Sequence, residues 1–377
     1  MKLKNILFFF LMFTIFILNA CGDDNDDGGE SEDLNVRVIY IDDNVDITTT
    51  WTNGRDEGYA TTVYVIQKWD FYIDNVTLNI ESGVIIKFHP LSGPYMMMSD
   101  SGKVIANGTS DDPIIFTSYY DDTNGGDTNK DDNTTTPNAG DWYQVSTNST
   151  QDSIFNHCHF YYGGNGSYKC TLDLFGSAAT VTNCVFAHNL GGKDGDFYFG
   201  ALDAGDASVG TIITGNRFYD NIIPLSIGYN YDIDNSNTFQ NSDGTVKNVM
   251  NGIFINSSDN ISKNLSWTET EVPFVIDDND LWVNSGSILS LGNSVILKFC
   301  TGSALLLADG ASALDQESNV HFTSFRDDTR CGDTNGDEGA TSPSNGDWEG
   351  IYDDTAPLGG PYWFTWSNIH YRDITNF

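Results

Sequence analysis

The chain has 377 residues, with 17 Lys plus Arg against 53 Asp plus Glu and a formal net charge of −36. An acidic excess of this size excludes a nucleic-acid binder and a protein that docks on anionic lipid through a basic face. Aromatics are 13% of the chain, too many for a disordered polyelectrolyte, and 37 glycines against 9 prolines read as many short strands joined by turns.

Residues 1–20 have the layout of an export signal: Lys2 and Lys4, then an apolar run from Ile6 to Leu18 that is too short to span a bilayer comfortably. The run ends in Leu18-Asn19-Ala20-Cys21, which resembles the lipobox of bacterial lipoproteins. The resemblance implies cleavage before Cys21 and a diacylglyceryl group on its sulfur. Residues 21–35 follow as an acidic tether containing GDDNDDGGESED. Such a stretch repels itself and stays extended. It also resembles the segment that directs many lipoproteins to the outside of the outer membrane. The expected location is therefore the cell surface, with the membrane held through lipid. Expected partners are extracellular polysaccharide or neighbouring surface proteins.

Strand patterning starts near residue 36. Val84, Ile86 and Phe88 share one face of a strand, with Ile85 and Lys87 on the other. Val295, Leu297 and Phe299 against Ile296 and Lys298 repeat the pattern. Tyr64-Val65-Ile66 pairs with Phe274-Val275-Ile276, and Val104-Ile105-Ala106-Asn107-Gly108 with Leu306-Leu307-Ala308-Asp309-Gly310. The chain thus divides into a first repeat set, 36–250, and a second, 251–377. The spacing between copies drifts, as it does when fixed strands are joined by loops that accept insertions.

Between the copies a shorter motif recurs around Phe160, Phe186, Phe218 and Phe239, each preceded by Asn or Gly and a small residue. Its spacing fits stacked coils of three short strands, in which parallel pairing places Phe on Phe and Asn on Asn. Ser367-Asn368-Ile369-His370-Tyr371 reads as the start of the same motif in the second set, with His370 in the place of His159. The chain stops at Phe377 in mid-coil without a polar cap. The expectation is a fragment, or an end covered by a partner.

One long loop occurs twice in register. Phe116, Asp121, Asp122, Asp127, Asn129, Asp131 and Trp142 recur as Phe322, Asp327, Asp328, Asp333, Asn335, Asp337 and Trp348. Asp127, Asn129 and Asp131, and likewise Asp333, Asn335 and Asp337, have the D-x-N-x-D spacing that turns alternate oxygens toward one hard cation, here Ca²⁺. The sixth and twelfth loop positions, Asp132 and Asn138 or Glu338 and Ser344, depart from the Gly and Glu of an EF-hand. Asp121 and Asp122, or Asp327 and Asp328, are candidates for the missing ligands. The plainer alternative is an Asx-rich turn that satisfies its own backbone.

Other constellations carry less. Cys158 and Cys184 sit at equivalent places in consecutive coils and read as buried thiols. No C-x-x-C motif points to zinc or to a redox pair. His157 and His159 flank Cys158 but point to the opposite strand face. Lys87 and Lys298 are candidate bases, yet a residue made twice is usually scaffold. The stretch Gly191–Gly210 occurs once. Its Asp194, Asp196, Asp203 and Asp206 among Phe197, Tyr198 and Phe199 form a candidate ligand loop.

In this order, the GxIIKF-like strand, the VxAxG strand, the IxFTS strand, the DDxxGGDTN loop, the GDW strand and the N-x-C-x-F coils resemble the right-handed parallel β-helix of bacterial cell-surface proteins, a pectate-lyase-like fold. The resemblance covers 36–377 and implies an all-β solenoid with long loop excursions. That fold carries spines and adhesins as well as polysaccharide lyases and glycoside hydrolases. The expected role is structural or glycan-binding, with a carbohydrate-active enzyme as the alternative.

Overall fold

In the computed structural model the described residues are 35–375, apart from 91–94, 167–168, 196, 230, 257–259, 278–279, 310–311 and 355–360. The export signal, Cys21 and the acidic tether up to residue 34 lie outside them, as does Asp196.

Short strands stack almost wholly in parallel to build a β-solenoid. The first strand, Val36–Ile41, pairs with Thr61–Ile66, which pairs with Ile85–Phe88, and so upward through a seven-stranded sheet ending at Arg217–Tyr219. A six-stranded sheet from Thr49–Trp51 to Ile212–Thr214 forms a second face. A ten-stranded sheet, from Asp70–Asp74 to His321–Ser324, runs through both repeat sets. The only helical element among the described residues is a single 3-10 turn, Arg55–Glu57.

The apolar alternation explains the interior. Val84, Ile86 and Phe88 enter the core with Val295, Leu297 and Phe299, while Ile85 faces outward. Phe116, Phe160, Phe186, Phe218 and Phe239 form a continuous stack, with successive centroids 4.7, 4.9, 5.1 and 5.4 Å apart. These spacings follow the ~4.8 Å separation of paired strands. The corners are closed by polar ladders. The amides of Cys184 and Asn216 donate to Asn216 Oδ1 and Asn237 Oδ1, and the amides of Asn189 and Asn221 to Asn221 Oδ1 and Asn248 Oδ1. Each asparagine thereby satisfies a backbone group that the bend would otherwise leave orphaned. Cys158 and Cys184 begin the first ladder as buried thiols, and Cys158, Cys170, Cys184 and Cys331 form no disulfide among the described residues.

The two sets are not stacked face on face. In the first, Ile85–Phe88 and Ile114–Ser118 belong to the seven-stranded sheet. Their counterparts, Ile296–Phe299 and His321–Ser324, belong to the ten-stranded sheet. New sheets begin at Leu265–Trp267 and Leu281–Val283, so the second set is turned by one face about the solenoid axis.

Two sequence pairings are corrected. The counterpart of Lys103–Asn107 is Ala313–Gln316, whereas Ala304–Leu307 corresponds to Tyr95–Asp100. His370 takes the place of Tyr161, not of His159. Phe322 pairs with Ile369 as Phe116 pairs with Phe160, and the indoles of Trp348 and Trp142 donate to the carbonyls of His370 and Tyr161. A slip of two residues keeps every side chain on its own face, so alternation alone does not reveal it.

Candidate metal loops and the hairpin beside them

Each duplicated loop leaves the solenoid after an IxFTS-type strand and returns through the GDW tryptophan. Trp142 stacks on Phe88 at 4.0 Å between centroids, and Trp348 on Phe299 at 4.2 Å. Thr117 Oγ1 donates to Asp121 Oδ2 and Thr323 Oγ1 to Asp327 Oδ2, both at 2.6 Å. Ser118 and Ser324 donate to Asp141 and Asp347 at the far end of the loop. The threonine and serine of the strand therefore clamp the two loop ends.

Lys87 and Lys298 pin the loop from beneath. Each ammonium is fully buried and donates to one carbonyl and one hydroxyl: Gly126 O and Thr128 Oγ1 at 2.9 and 2.7 Å, and Gly332 O and Thr334 Oγ1 at 2.8 and 2.7 Å. Burial lowers both pKa values to about 8, and the nearby aspartates of each loop offset part of that effect. Covered in this way, the lysines act as pegs for the loops. Replacing Lys87 by Met leaves Gly126 O and Thr128 without their charged donor. The expected cost is about 1.5–3 kcal/mol, read by chemical denaturation. An unchanged midpoint would show that the loop does not depend on its peg.

Above each peg, three carboxylates converge. Asp122, Asp127 and Asp131 offer oxygens within 4.8 Å of one another, as do Asp328, Asp333 and Asp337. Oxygens bound to one Ca²⁺ at 2.3–2.6 Å lie no more than about 5 Å apart, so the spacing suits a shared cation. Both oxygens of Asp122, Oδ1 of Asp328, and Oδ1 of Asn129 and Asn335 are buried with no hydrogen-bond partner. Desolvation raises the pKa of Asp122 and of Asp328, and the neighbouring carboxylates Asp127 and Asp333 add to it. Asp121 and Asp327 are placed otherwise. They are fully buried, and Asp121 accepts from Thr117, Thr123 and Asn124 while Asp327 accepts from Thr323, Thr329 and Arg330. These two organise the loop entrance and stand outside the oxygen clusters.

The remaining ligand candidates also hold the backbone. Asp127 accepts from the amides of Asp131 and Asp132, and Asp131 from those of Thr134 and Thr135. Asp333 and Asp337 repeat this with Glu338 and Thr341. Three left-handed residues recur in register: Lys130, Asp132 and Asn133 in the first loop, Gly336, Glu338 and Gly339 in the second. The sixth position thus makes a sharp left-handed turn without a glycine, at φ 55° for Asp132 and 54° for Glu338.

The once-only stretch divides in two. Gly192–Asp194 and Phe197–Phe199 form an antiparallel hairpin, with Asp194 exposed. Asp203 is not in that hairpin. It lies on the coil strand Leu202–Ala204, where Leu202 and Ala204 face the core and Asp203 the outer side. Asp206 follows in the next turn. Asp203 stacks in register on Asp173 of the preceding coil, and both are buried. Burial pushes Asp173 up to about 7, helped by the charge of Asp203, and pushes Asp203 up to about 6. The hydroxyls of Ser146 and Ser226 donate to them at 2.8 and 2.5 Å. Asp173 was not singled out from the sequence; its signal was a charged residue between Leu172 and Leu174 on a strand.

The hairpin folds over the outer face of the ten-stranded sheet. Tyr198 packs on Phe254 at 4.9 Å and faces Phe325 at 6.3 Å, and Lys193 Nζ lies 4.6 Å from the Tyr198 ring centre. Lys193 also reaches Asp277, at 3.7 Å. These contacts bring the hairpin beside the second duplicated loop, where a cavity of about 280 Å³ opens. The chain matches no protein-family model, no curated protein and no solved structure.

Proposed function

We propose that the protein is a lipid-anchored β-solenoid of the bacterial outer surface, with a structural or glycan-binding role, whose two duplicated loops each hold a Ca²⁺. The anchor rests on Cys21 and the residues before it. The cation reading is carried by one observation made twice: buried, unpartnered oxygens of Asp122 and Asn129, and of Asp328 and Asn335, beside converging carboxylates. Polar atoms without partners are costly inside a protein, and a hard cation supplies the missing partner while neutralising the cluster. The ligands would be Asp122, Asp127, Asn129 and Asp131 in one loop, and Asp328, Asp333, Asn335 and Asp337 in the other. Both sites lie on excursions from the coil, so the cation would stiffen loops rather than hold the core.

Thermal melting in Ca²⁺ and in chelator tests this reading. At a hundredfold excess over Kd each site adds about 2.7 kcal/mol, so chelation lowers the melting temperature and either Asp122→Asn or Asp328→Asn removes part of the response. Identical melting with and without chelator contradicts it.

A carbohydrate-active enzyme is the second reading, and one observation favours it. Asp173 and Asp203 are stacked carboxylates, and the Asp173 carboxyl, pushed up to about 7, keeps a proton that a general acid could give. Depolymerisation of polysaccharides by the exported chain, abolished in Asp203→Asn, would support it. No cleavage across a broad polysaccharide panel would dismiss it.

A further inference from the structure

We propose that the cavity between the 192–199 hairpin and the second duplicated loop binds a single saccharide ring, and that its affinity is coupled to cation occupancy of that loop. The inference rests on the glycan-binding reading above and gives it a place. The cavity joins parts of the chain remote in sequence: Lys193 and Tyr198 from the hairpin, Asp277 and Phe325 from the sheet, Asn335 and Asp337 from the loop. Its volume of about 280 Å³ lies at the small end for ligand sites, which begin near ~300 Å³. One ring fits that space better than a strand of several.

The lining has the two-sided chemistry of a sugar site. Phe325 gives an aromatic surface for the C–H face of a pyranose, and Tyr198, which carries Lys193 over its ring and packs on Phe254, closes the rim beside it. Thr301 adds a hydroxyl, while those of Ser324 and Thr341 are held by Asp347 and Asp337. The formal charges of the lining balance, Lys193 and Arg326 against Asp277 and Asp337. Lys193 lies beside Asp277, and Arg326, also on the lining, pairs with Asp347 at 3.1 Å. A wall of paired charges offers donors and acceptors together without selecting an ion, which suits a neutral polyol.

The coupling has a structural basis in Asn335 and Asp337. Both line the cavity, and both belong to the proposed cation shell. Asn335 Oδ1 is buried and has no hydrogen-bond partner. A cation that fixes these two side chains also fixes one wall of the cavity. Linkage then requires the sugar to tighten the cation by the same factor.

The test is saturation-transfer NMR followed by titration of the full chain. The probes are neutral hexoses and N-acetylhexosamines, in Ca²⁺ and in chelator. The expected result is binding that weakens at least tenfold in Tyr198→Ala and in Lys193→Ala, with melting temperatures near that of the parent. Chelation or Asp328→Asn is expected to weaken it as well. Sugar binding untouched by both hairpin variants overturns the site while leaving a glycan-binding protein. Binding insensitive to chelator and to Asp328→Asn overturns the coupling. If no sugar binds at all, the site and the glycan reading fall together.

Discussion

The stability contributed by Asp173 and Asp203 falls as the pH rises from about 4 to about 7. In the unfolded chain both carboxylates ionise near the ordinary value of 3.8, while in the fold they stay protonated until about 7 and about 6. Between those limits the folded state binds more protons than the unfolded one, so stability declines with rising pH. It is fully present below pH 4 and lost once both groups are ionised in the fold. The cause is their position. Parallel pairing sets the two side chains one strand spacing apart on a covered face, with Ser146 and Ser226 as donors. Asp173→Asn removes one of the two charges and keeps an oxygen for Ser146. A pK unit is worth ~1.4 kcal/mol, so this variant is expected to be more stable than the parent at pH 8 by on the order of 2 kcal/mol or more. Below pH 4 the two chains should differ little. Comparing them isolates the pair from groups that titrate the other way, such as His159, whose pKa burial lowers to about 4. Denaturant unfolding at several pH values measures the difference. Parallel profiles for the two chains would show that the pair titrates normally.

Phe160→Ala is expected to cost about 3–5 kcal/mol, the range for emptying an aromatic site in a core. Phe160 has no exposure and is held from both sides, by Phe116 at 4.7 Å and Phe186 at 4.9 Å. Phe155 meets its edge at 5.9 Å. Neighbouring coils in a solenoid are stabilised chiefly by their shared interface, so a void here weakens two interfaces at once. Phe160→Leu fills part of the space and should cost clearly less. Equilibrium denaturation distinguishes the cases. A loss under about 1 kcal/mol for the alanine variant would mean that the stack adds little beyond its neighbours.

The parallel solenoid was legible because its determinants are local and repeated. Alternation placed Val84, Ile86 and Phe88 inside, and regular recurrence placed Phe160, Phe186, Phe218 and Phe239 in one stack. Alternation has a period of two, however, and is blind to slips of two. That is why His370 was aligned with His159 and not with Tyr161. The turn of the second set by one face was also hidden, since motif order is the same whichever sheet a strand joins. The ladder of Asn189, Asn221 and Asn248 escaped notice because its members follow unlike residues, His188, Asp220 and Lys247.

The candidate site divides along the same line. The D-x-N-x-D spacing and the pairing of the two loops could be read directly. The split between Asp121, which clamps the loop, and Asp122, whose oxygens stay unpartnered, could not, because the two are adjacent and chemically identical. Nor could the cavity, which depends on a hairpin meeting a loop more than a hundred residues away. Lys87 and Lys298 were visible as a repeated pair, and the fold supplies the reason for the repetition: each loop needs its own peg.

The central claim is that the duplicated acidic loop is a cation site made twice. Calorimetric titration of the metal-stripped full chain with Ca²⁺ tests it most directly. The account predicts two binding events per chain, reduced to one by Asp122→Asn and to the other one by Asp328→Asn. A titration with no saturable binding, or one unchanged by both substitutions, would contradict it.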